Sequence, residues 1–373
     1  MPIYSTEEKK NGKTKYRVVV SYTAPDGKYK KKERTAYGLP DAKALEALML
    51  KEVSENKAAA TAPMTVSELF ELYLESKKHE VRESSLDKTN RTLKTEVIGV
   101  LGDIPLRKLN KTVLQKWKNG IAEKDLSLIT KQNFYKEFRA MLNWAVKMDY
   151  LPRNYLVDIG NFKDTTLENH TEPIHYYTVD QFKQYIAFAK SQADTITEWG
   201  YYVFFCIAFY TGARKGEINA LKWSDIDGDI MHIRRSITQK IKGGDRETAP
   251  KNKSSIRDIK LPLPLITILN EHKSRQKADK SFSEDFRVCG GIRCLRDSSL
   301  DNKNKSFAAG ANLPAIRIHD FRHTHATLLI NEGINIQEIA RRLGHADVQM
   351  TWSVYAHLYP REEDRALSIL NKI

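Results

Sequence analysis

The sequence predicts a multidomain α+β protein. A small basic β-sheet with one helix comes first, then an all-α domain, then a mainly α domain that carries a small antiparallel sheet. Three observations support this. A β-branched and aromatic run near the N-terminus is followed by turn residues and a second extended, basic run. From about Thr65 to Met148, apolar residues recur at helical spacing. After Tyr177, helical patterns enclose two β-rich runs around Gly243-Gly244-Asp245. The boundaries read as 1–57, a linker at 58–63, then 64–172 and 173–373, and 373 residues suffice for three such units.

In the first unit, Lys15 to Tyr22 is strand-like, Pro25-Asp26-Gly27 is turn chemistry, and Lys28 to Thr35 alternates basic and other residues as a second strand. Asp41 follows Pro40 and can cap a helix with apolar positions at Leu45, Leu48, Met49 and Val53. Ala58 to Pro63 reads as the linker. Thr65-Val66-Ser67-Glu68 then fits a capping box ahead of Leu69, Phe70, Leu72 and Tyr73. Leu114, Trp117 and Ile121 form one apolar stripe, and Phe134, Phe138, Met141, Leu142 and Ala145 another, both read as core. Pro152-Arg153-Asn154 ends the helical region, a loop-rich stretch runs to about Glu172, and a helix opens at Tyr177 to Phe182. Ile230 to Ile237 and Ser255 to Leu261 read as strands.

Composition narrows the function. Hydrophobic residues are 41% and charged residues 29%, as in a folded soluble protein, and no run is apolar enough to span a bilayer. The N-terminus runs from Ile3-Tyr4 into acids and lysines, unlike a secretory signal, so the expected location is cytoplasmic. Three cysteines make no disulfide framework, and Cys289 with Cys294 lack the second pair a zinc site needs. No P-loop and no dinucleotide glycine pattern is present, so nucleotide use has no support. The net charge is +14, which attracts polyanions. Between Lys9 and Arg34 stand ten basic residues and two acids, so the charge concentrates on the small sheet. Double-stranded DNA is the expected partner, with Lys15, Arg17, Lys28, Lys30, Lys32 and Arg34 in the sheet and Lys88, Arg91 and Lys116 on the helical domain as candidate contacts.

Four clusters in the last unit carry chemistry. In Thr211-Gly212-Ala213-Arg214-Lys215-Gly216-Glu217, the Thr-Gly pair breaks one helix and Arg214 starts the next, where its planar fork can meet a phosphate. Glu217, one turn on, can orient Arg214 or a histidine. Pro250-Lys251-Asn252-Lys253 lies in a turn, from which a lysine can protonate a leaving oxygen; Lys251 and Lys253 are not separable on chemistry. In His319-Asp320-Phe321-Arg322-His323-Thr324-His325, His319 and Arg322 share a helix face. His319 and His323 are spaced like a zinc pair, but the glutamate of such motifs is missing and Arg322 would repel a cation, so no metal is expected. Finally Gly344 ends a helix, His345 follows, and Tyr355 stands ten positions later beyond Thr351. A phenol is a poor nucleophile at neutral pH without help. Arg214, Arg322 and His345 can hold phosphate oxygens and favour its phenolate, while His319 assists proton removal and Lys251 protonates a departing 5′ oxygen. The product is a 3′-phosphotyrosine, and its reversal needs no ATP or other cofactor.

These four clusters, in this order, resemble those of the tyrosine recombinases, the phage-type integrases, over about Tyr177 to Ile373. The region Thr65 to Met148 resembles the family's helical core-site-binding domain, and the first segment resembles the arm-site-binding domain of integrases from temperate phages and conjugative transposons. The resemblance implies Arg214 and Arg322 as phosphate-binding arginines, Lys251 as the hairpin acid, His319 and His345 as active-site histidines, Tyr355 as nucleophile and Glu217 as a supporting acid. It also implies a tetramer on DNA, strand exchange in pairs, and DNA-bending or excision accessory proteins. Two features depart from the family pattern: the second hairpin lysine, Lys253, and an extra Cys294. The tail with Leu367, Ile369, Leu370 and Ile373 is expected to dock on a neighbouring subunit. A Xer-type resolvase or type IB topoisomerase would share the chemistry; a non-enzymatic DNA-binding regulator would share only the charge.

Overall fold

The computed structural model describes residues 3–10, 12–23, 29–60, 64–164, 175–239, 244–248 and 253–358, with Leu367, Leu370 and Asn371. The chain divides into two compact units, residues 1–169 and 170–373.

The first unit opens with an antiparallel sheet of β1 (Ile3–Lys10), β2 (Lys13–Thr23) and β3 (Tyr29–Tyr37), in that order. β2 and β3 lie where the β-branched and alternating runs predict them. β1 is an addition to the sequence reading: its residues are mostly polar, and it is an edge strand held by pairing with β2, Ile3 opposite Val18 and Tyr4 opposite Arg17. Val18 and Val20 face α1 (Leu39–Ala60) and pack with Ala42 and Met49. α1 begins two residues before Asp41, which is a first-turn acid rather than the cap. The helix runs through Ala60, so Ala58 to Ala60 are not linker; alanine favours helix more than any other residue. Thr61 to Pro63 lie outside the described residues, as does the Val53 side chain. Leu48, expected in the stripe with Leu45 and Met49, is exposed, because three strands cover only a narrow face of the helix.

The same unit continues as α2 (Val66–Lys78), α3 (Glu83–Leu93), a π-turn at Lys94–Ile98, α4 (Gly99–Leu101), α5 (Lys111–Ala122), α6 (Leu128–Lys147) and α7 (Leu156–Ile159). The Thr65–Glu68 capping box forms as the sequence predicts, the Thr65 N–H donating to Glu68 Oε2 at 2.7 Å. Both apolar stripes enter one core, where the Trp117 ring meets Phe138 edge-on at 4.9 Å between centroids. Leu72 stays exposed on the far side of α2. The short α7 interrupts the stretch expected to be loop.

The second unit is built around α9 (Ile196–Thr211), buried along nearly its whole length as its apolar sequence requires. α8 (Val179–Ser191), α10 (Lys215–Ala220), α11 (Leu263–Gln276) and α13 (Asp320–Asn331) pack against it. α12 (Asp297–Gly310) packs on α8, and α14 (Ile336–Leu343) and α15 (Val348–Tyr355) end the described fold. Thr178 caps α8 in a second capping box, with Gln181. The stretch Ile230 to Ile237 is not one strand. It divides into β5 (Ile230–Ile233), in the sheet of order β4 (Ile226–Asp227), β5, β8 (Arg257–Lys260), and β6 (Ser236–Thr238), which pairs with β7 (Arg246–Thr248). The break falls at Arg234-Arg235, whose guanidinium groups reach Asp258 and Asp225. In the tail, Leu367 and Leu370 are exposed; Ile369 and Ile373 lie outside the described residues.

Candidate active site

Arg214 owes its position to a helix break. Gly212 ends α9 in the left-handed region, at φ 63, and a Cβ there would come within 2.8 Å of both His325 and Leu343. The chain turns, and Arg214 becomes the N-cap of α10. Its N–H donates to Glu217 Oε2 at 3.0 Å and its Nη1 to Glu217 Oε1 at 2.9 Å. Glu217 therefore orients Arg214, the first of the two roles the sequence leaves open.

Glu217 is only 3% exposed and holds a second guanidinium, which belongs to none of the sequence motifs. Arg257, on β8, donates from Nη2 to Glu217 Oε2 at 2.9 Å, from Nε to the Arg342 carbonyl at 2.8 Å and from Nη1 to the Ser255 carbonyl at 3.0 Å. It thus ties α10, the end of α14 and the turn after the hairpin lysines together. Burial pushes the Glu217 carboxyl up, but Arg257 and Arg214 more than offset this and hold it below its usual value. The sole signal for Arg257 in the sequence is its inward register, in step with buried Ile259 on β8.

Arg322 is buried, and backbone carbonyls rather than carboxylates bind it. Nη1 donates to the Gly212 carbonyl at 2.9 Å and Nη2 to the Leu343 carbonyl at 2.7 Å. One side chain on α13 thus joins the turn before Arg214 to the turn before His345. Burial, with Arg214 and Arg257 nearby, pushes its pKa down to about 9, still charged at neutral pH. Gly344, left-handed at φ 69, turns the chain so that His345 Nδ1 lies 2.6 Å from Thr351 Oγ1 on α15. His319, the N-cap of α13, keeps only part of its surface open to solvent. Desolvation lowers the His319 and His345 rings, and Arg322 and Arg214 push both down further, so both are neutral at pH 7.

Tyr355 ends α15 with its ring 2% exposed among Ala326, Ile330, Ile339 and Leu343. Its hydroxyl and His323 Nδ1 are 2.6 Å apart. The sequence reading assigns proton removal to His319; among the described residues it is His323, one turn along α13, that hydrogen-bonds the phenol. The His319 and His323 rings meet edge-on at 5.5 Å. Burial pushes the Tyr355 phenol well above its usual value, Arg322 pulling the other way. Lys251 lies outside the described residues, and Lys253 opens a short 3-10 turn at Lys253–Ser255. Cys294 Sγ contacts Asp245 Oδ2 at 3.0 Å. No group of three or more His, Cys, Asp or Glu among the described residues is arranged to hold a metal.

The candidate DNA contacts of the sheet fall on two faces. Cross-strand partners share a face, so Lys32 and Arg34, opposite Val20 and Val18, lie on the α1 side, where both pair with Glu52. Lys30 pairs with Tyr22 along the backbone, and its side chain lies outside the described residues. Lys15 and Arg17 lie on the open face, near Glu8 at 2.6 Å and Glu33 at 3.6 Å. Lys28 is outside the described residues. Lys88, Arg91 and Lys116 lie on α3 and α5, Arg91 pairing with Asp87 at 2.9 Å.

The phage integrase family profile matches residues 175–362, and the profile of the phage integrase N-terminal SAM-like domain matches residues 65–122. The chain belongs to the phage integrase family. This integrase is similar to the ICEBs1 integrase of Bacillus subtilis (strain 168), 26% identical over 96% of this chain and 97% of that protein. It is also similar to the transposase from transposon Tn916 of Enterococcus faecalis, 22% identical over 94% and 90%. Among solved structures, the Tn1549 transposon integrase in complex with circular intermediate DNA superposes with a TM-score of 0.65 at 21% identity, covering 83% of this chain and 99% of that one. A lambda integrase dimer bound to a COC′ core site superposes with a TM-score of 0.57 at 15% identity, over 94% and 93%. The integrase has the fold of these proteins, and its family is that of the tyrosine recombinases. No described helix is long and apolar enough to cross a membrane.

Proposed function

We propose that this integrase cuts and rejoins DNA to integrate and excise a mobile element, with Tyr355 as nucleophile. The phenol oxygen attacks a backbone phosphorus, the bond from phosphorus to the 5′ oxygen breaks, and a 3′-phosphotyrosine forms. Lys251 protonates the departing 5′ oxygen. Arg214 and Arg322 hold the non-bridging oxygens, with His319 and His345 beside them, and Glu217 keeps Arg214 in place. The reverse step, by a 5′ hydroxyl from another strand, closes the exchange. The observation that carries this reading is Arg322: its two carbonyl bonds gather Arg214, His345 and the Tyr355 helix around one spot of excess positive charge. A phosphodiester supplies the missing negative charge.

The arm-site, core-site and catalytic roles of residues 1–57, 64–172 and 173–373, a tetramer on DNA, accessory bending proteins and a cytoplasmic location complete the proposal. A mobile-element role is favoured over a resolvase. The ICEBs1 integrase aligns along nearly the whole chain, whereas the XerC-like tyrosine recombinase of Caldanaerobacter subterraneus covers 74% of it.

The test is incubation of the full chain with nicked suicide duplexes taken from the DNA flanking its gene, followed by a denaturing gel. A covalent adduct that disappears in Tyr355→Phe supports the proposal. No adduct on any of these duplexes, with binding intact, points instead to a DNA-binding regulator.

A further inference from the structure

We infer that His323 is the base that receives the Tyr355 proton during cleavage. The inference rests on the proposed attack by Tyr355 and assigns a step in it. Four observations support it.

Distance comes first. His323 Nδ1 stands 2.6 Å from the Tyr355 oxygen, within the range a general base needs. The His319 ring is one turn away along α13, on the side of Arg322 and Arg214.

Rigidity comes second. His323, Ala326 and Ile330 follow one another along one face of α13, and Tyr355 shares a buried cluster with the last two while its oxygen meets the first. The rings of Tyr355 and His323 are 5.5 Å apart at 59°, so the contact runs edge to edge through the oxygen and nitrogen rather than ring over ring.

Protonation comes third. The groups around His323 are Tyr355 from α15, and His319, Asp320, Arg322 and Arg317 from α13 and its approach. Desolvation lowers its pKa; Asp320 opposes this, and Arg317 and Arg322 add to it, leaving a neutral ring at pH 7 that can accept a proton.

Need comes fourth. The phenol is buried and held above its ordinary value, so free ionisation at neutral pH is too rare to drive the reaction.

The step balances. The Tyr355 oxygen forms its bond to phosphorus, its proton passes to His323 Nδ1, and the bond to the 5′ oxygen breaks as that oxygen takes a proton from the hairpin lysine. On rejoining, His323 returns its proton to the phenol as the phosphotyrosine bond breaks.

The experiment is single-turnover cleavage of the suicide duplex that gives the wild-type adduct, measured from pH 5 to 10 in wild type, His323→Ala and His323→Gln. The wild-type rate should fall only as pH drops through the lowered His323 value and be flat above it. Both variants should lose roughly 10²–10⁴-fold at neutral pH, with a rate that climbs steadily with pH because the phenol must then ionise unaided. Added imidazole should restore part of the His323→Ala rate and leave Tyr355→Phe inactive. Glutamine can accept the hydrogen bond but not the proton, so a His323→Gln rate equal to wild type overturns the assignment. So does an unchanged pH profile in His323→Ala, or slow cleavage that imidazole does not lift in a variant that still binds the duplex. A wild-type chain that forms no adduct on any duplex overturns the Tyr355 reading and this assignment with it; an adduct with normal His323 variants overturns only the assignment.

Discussion

Replacing Arg257 tests whether the buried ion pair, rather than the fold alone, holds the site together. Arg257→Met keeps an unbranched apolar stem but removes the guanidinium charge and three donated bonds, to Glu217, Ser255 and Arg342. The side chains of Arg257 and Glu217 are 5% and 3% exposed, so water cannot replace the partner. Removing one member of such a pair costs about 3–5 kcal/mol. Glu217 keeps Arg214 at 2.9 Å, which points to the lower end, about 3 kcal/mol. The second unit spans residues 170–373, a size at which each kcal/mol shifts Tm by about 2–4 °C. Calorimetry of the full chain should therefore show the transition of this unit falling by roughly 6–12 °C, and cleavage falling with it as Arg214 loses its anchor. In Glu217→Gln/Arg257→Met, neither partner leaves the other's charge stranded, and the loss should be less than the sum of the single losses. A single variant within about 1 kcal/mol of wild type, cleaving at the normal rate, would refute the reasoning.

Three further outcomes follow from the same geometry. Gly344→Ala puts a Cβ 2.9 Å from the Arg257 guanidinium at a left-handed φ of 69°, so urea unfolding should show at least the roughly 1–2 kcal/mol of that backbone conformation, and adduct formation should fall as His345 shifts. His325 is buried and donates from Nδ1 to the Phe209 carbonyl, with desolvation, then Arg342, pushing its pKa down to about 3. Because the folded value is depressed, its contribution is present above the unfolded value of about 6.5 and is lost as pH falls toward 3; the slope of stability against pH across that window should flatten in His325→Gln. On the open face of the sheet, Lys15→Ala/Arg17→Ala should lower the dependence of log affinity on log salt by about one for each phosphate left without its cation. Lys32→Ala should leave that dependence unchanged, since Lys32 pairs with Glu52 on the helix side; equal effects on both faces would count against the two-face reading.

What can be read from the sequence depends on how local the cause is. The capping box at Thr65, the helix breaks at Gly212 and Gly344 and the apolar stripe of α5 are set by residues within a turn or two of one another, and all stand where the pattern puts them. β1 is not legible, because its stability comes from β2 and not from its own residues. Leu48 and Leu72 fit their helical stripes but stay exposed, since the width of the covering partner is not written in the helix itself. In the candidate site, Arg214, Glu217, Arg322 and His345 are legible as motif residues. Arg257 is not, because its partners lie 40 and 85 positions away. His323 reads in the sequence only as half of a metal pair, and its contact with Tyr355 spans 32 positions.

The two carbonyls that grip Arg322 also have a thermodynamic consequence. Carbonyl dipoles fix the guanidinium without cancelling its charge, so in the absence of nucleic acid the protein keeps like charges confined at close quarters, with Glu217 the carboxylate that Arg214 and Arg257 share. That repulsion works against the empty fold and is relieved when an anion enters. Tightness of substrate capture and resistance to heat are thus two readings of a single electrostatic debt, and polyanions or concentrated sulfate should stiffen the second unit in proportion to how well they occupy this seat.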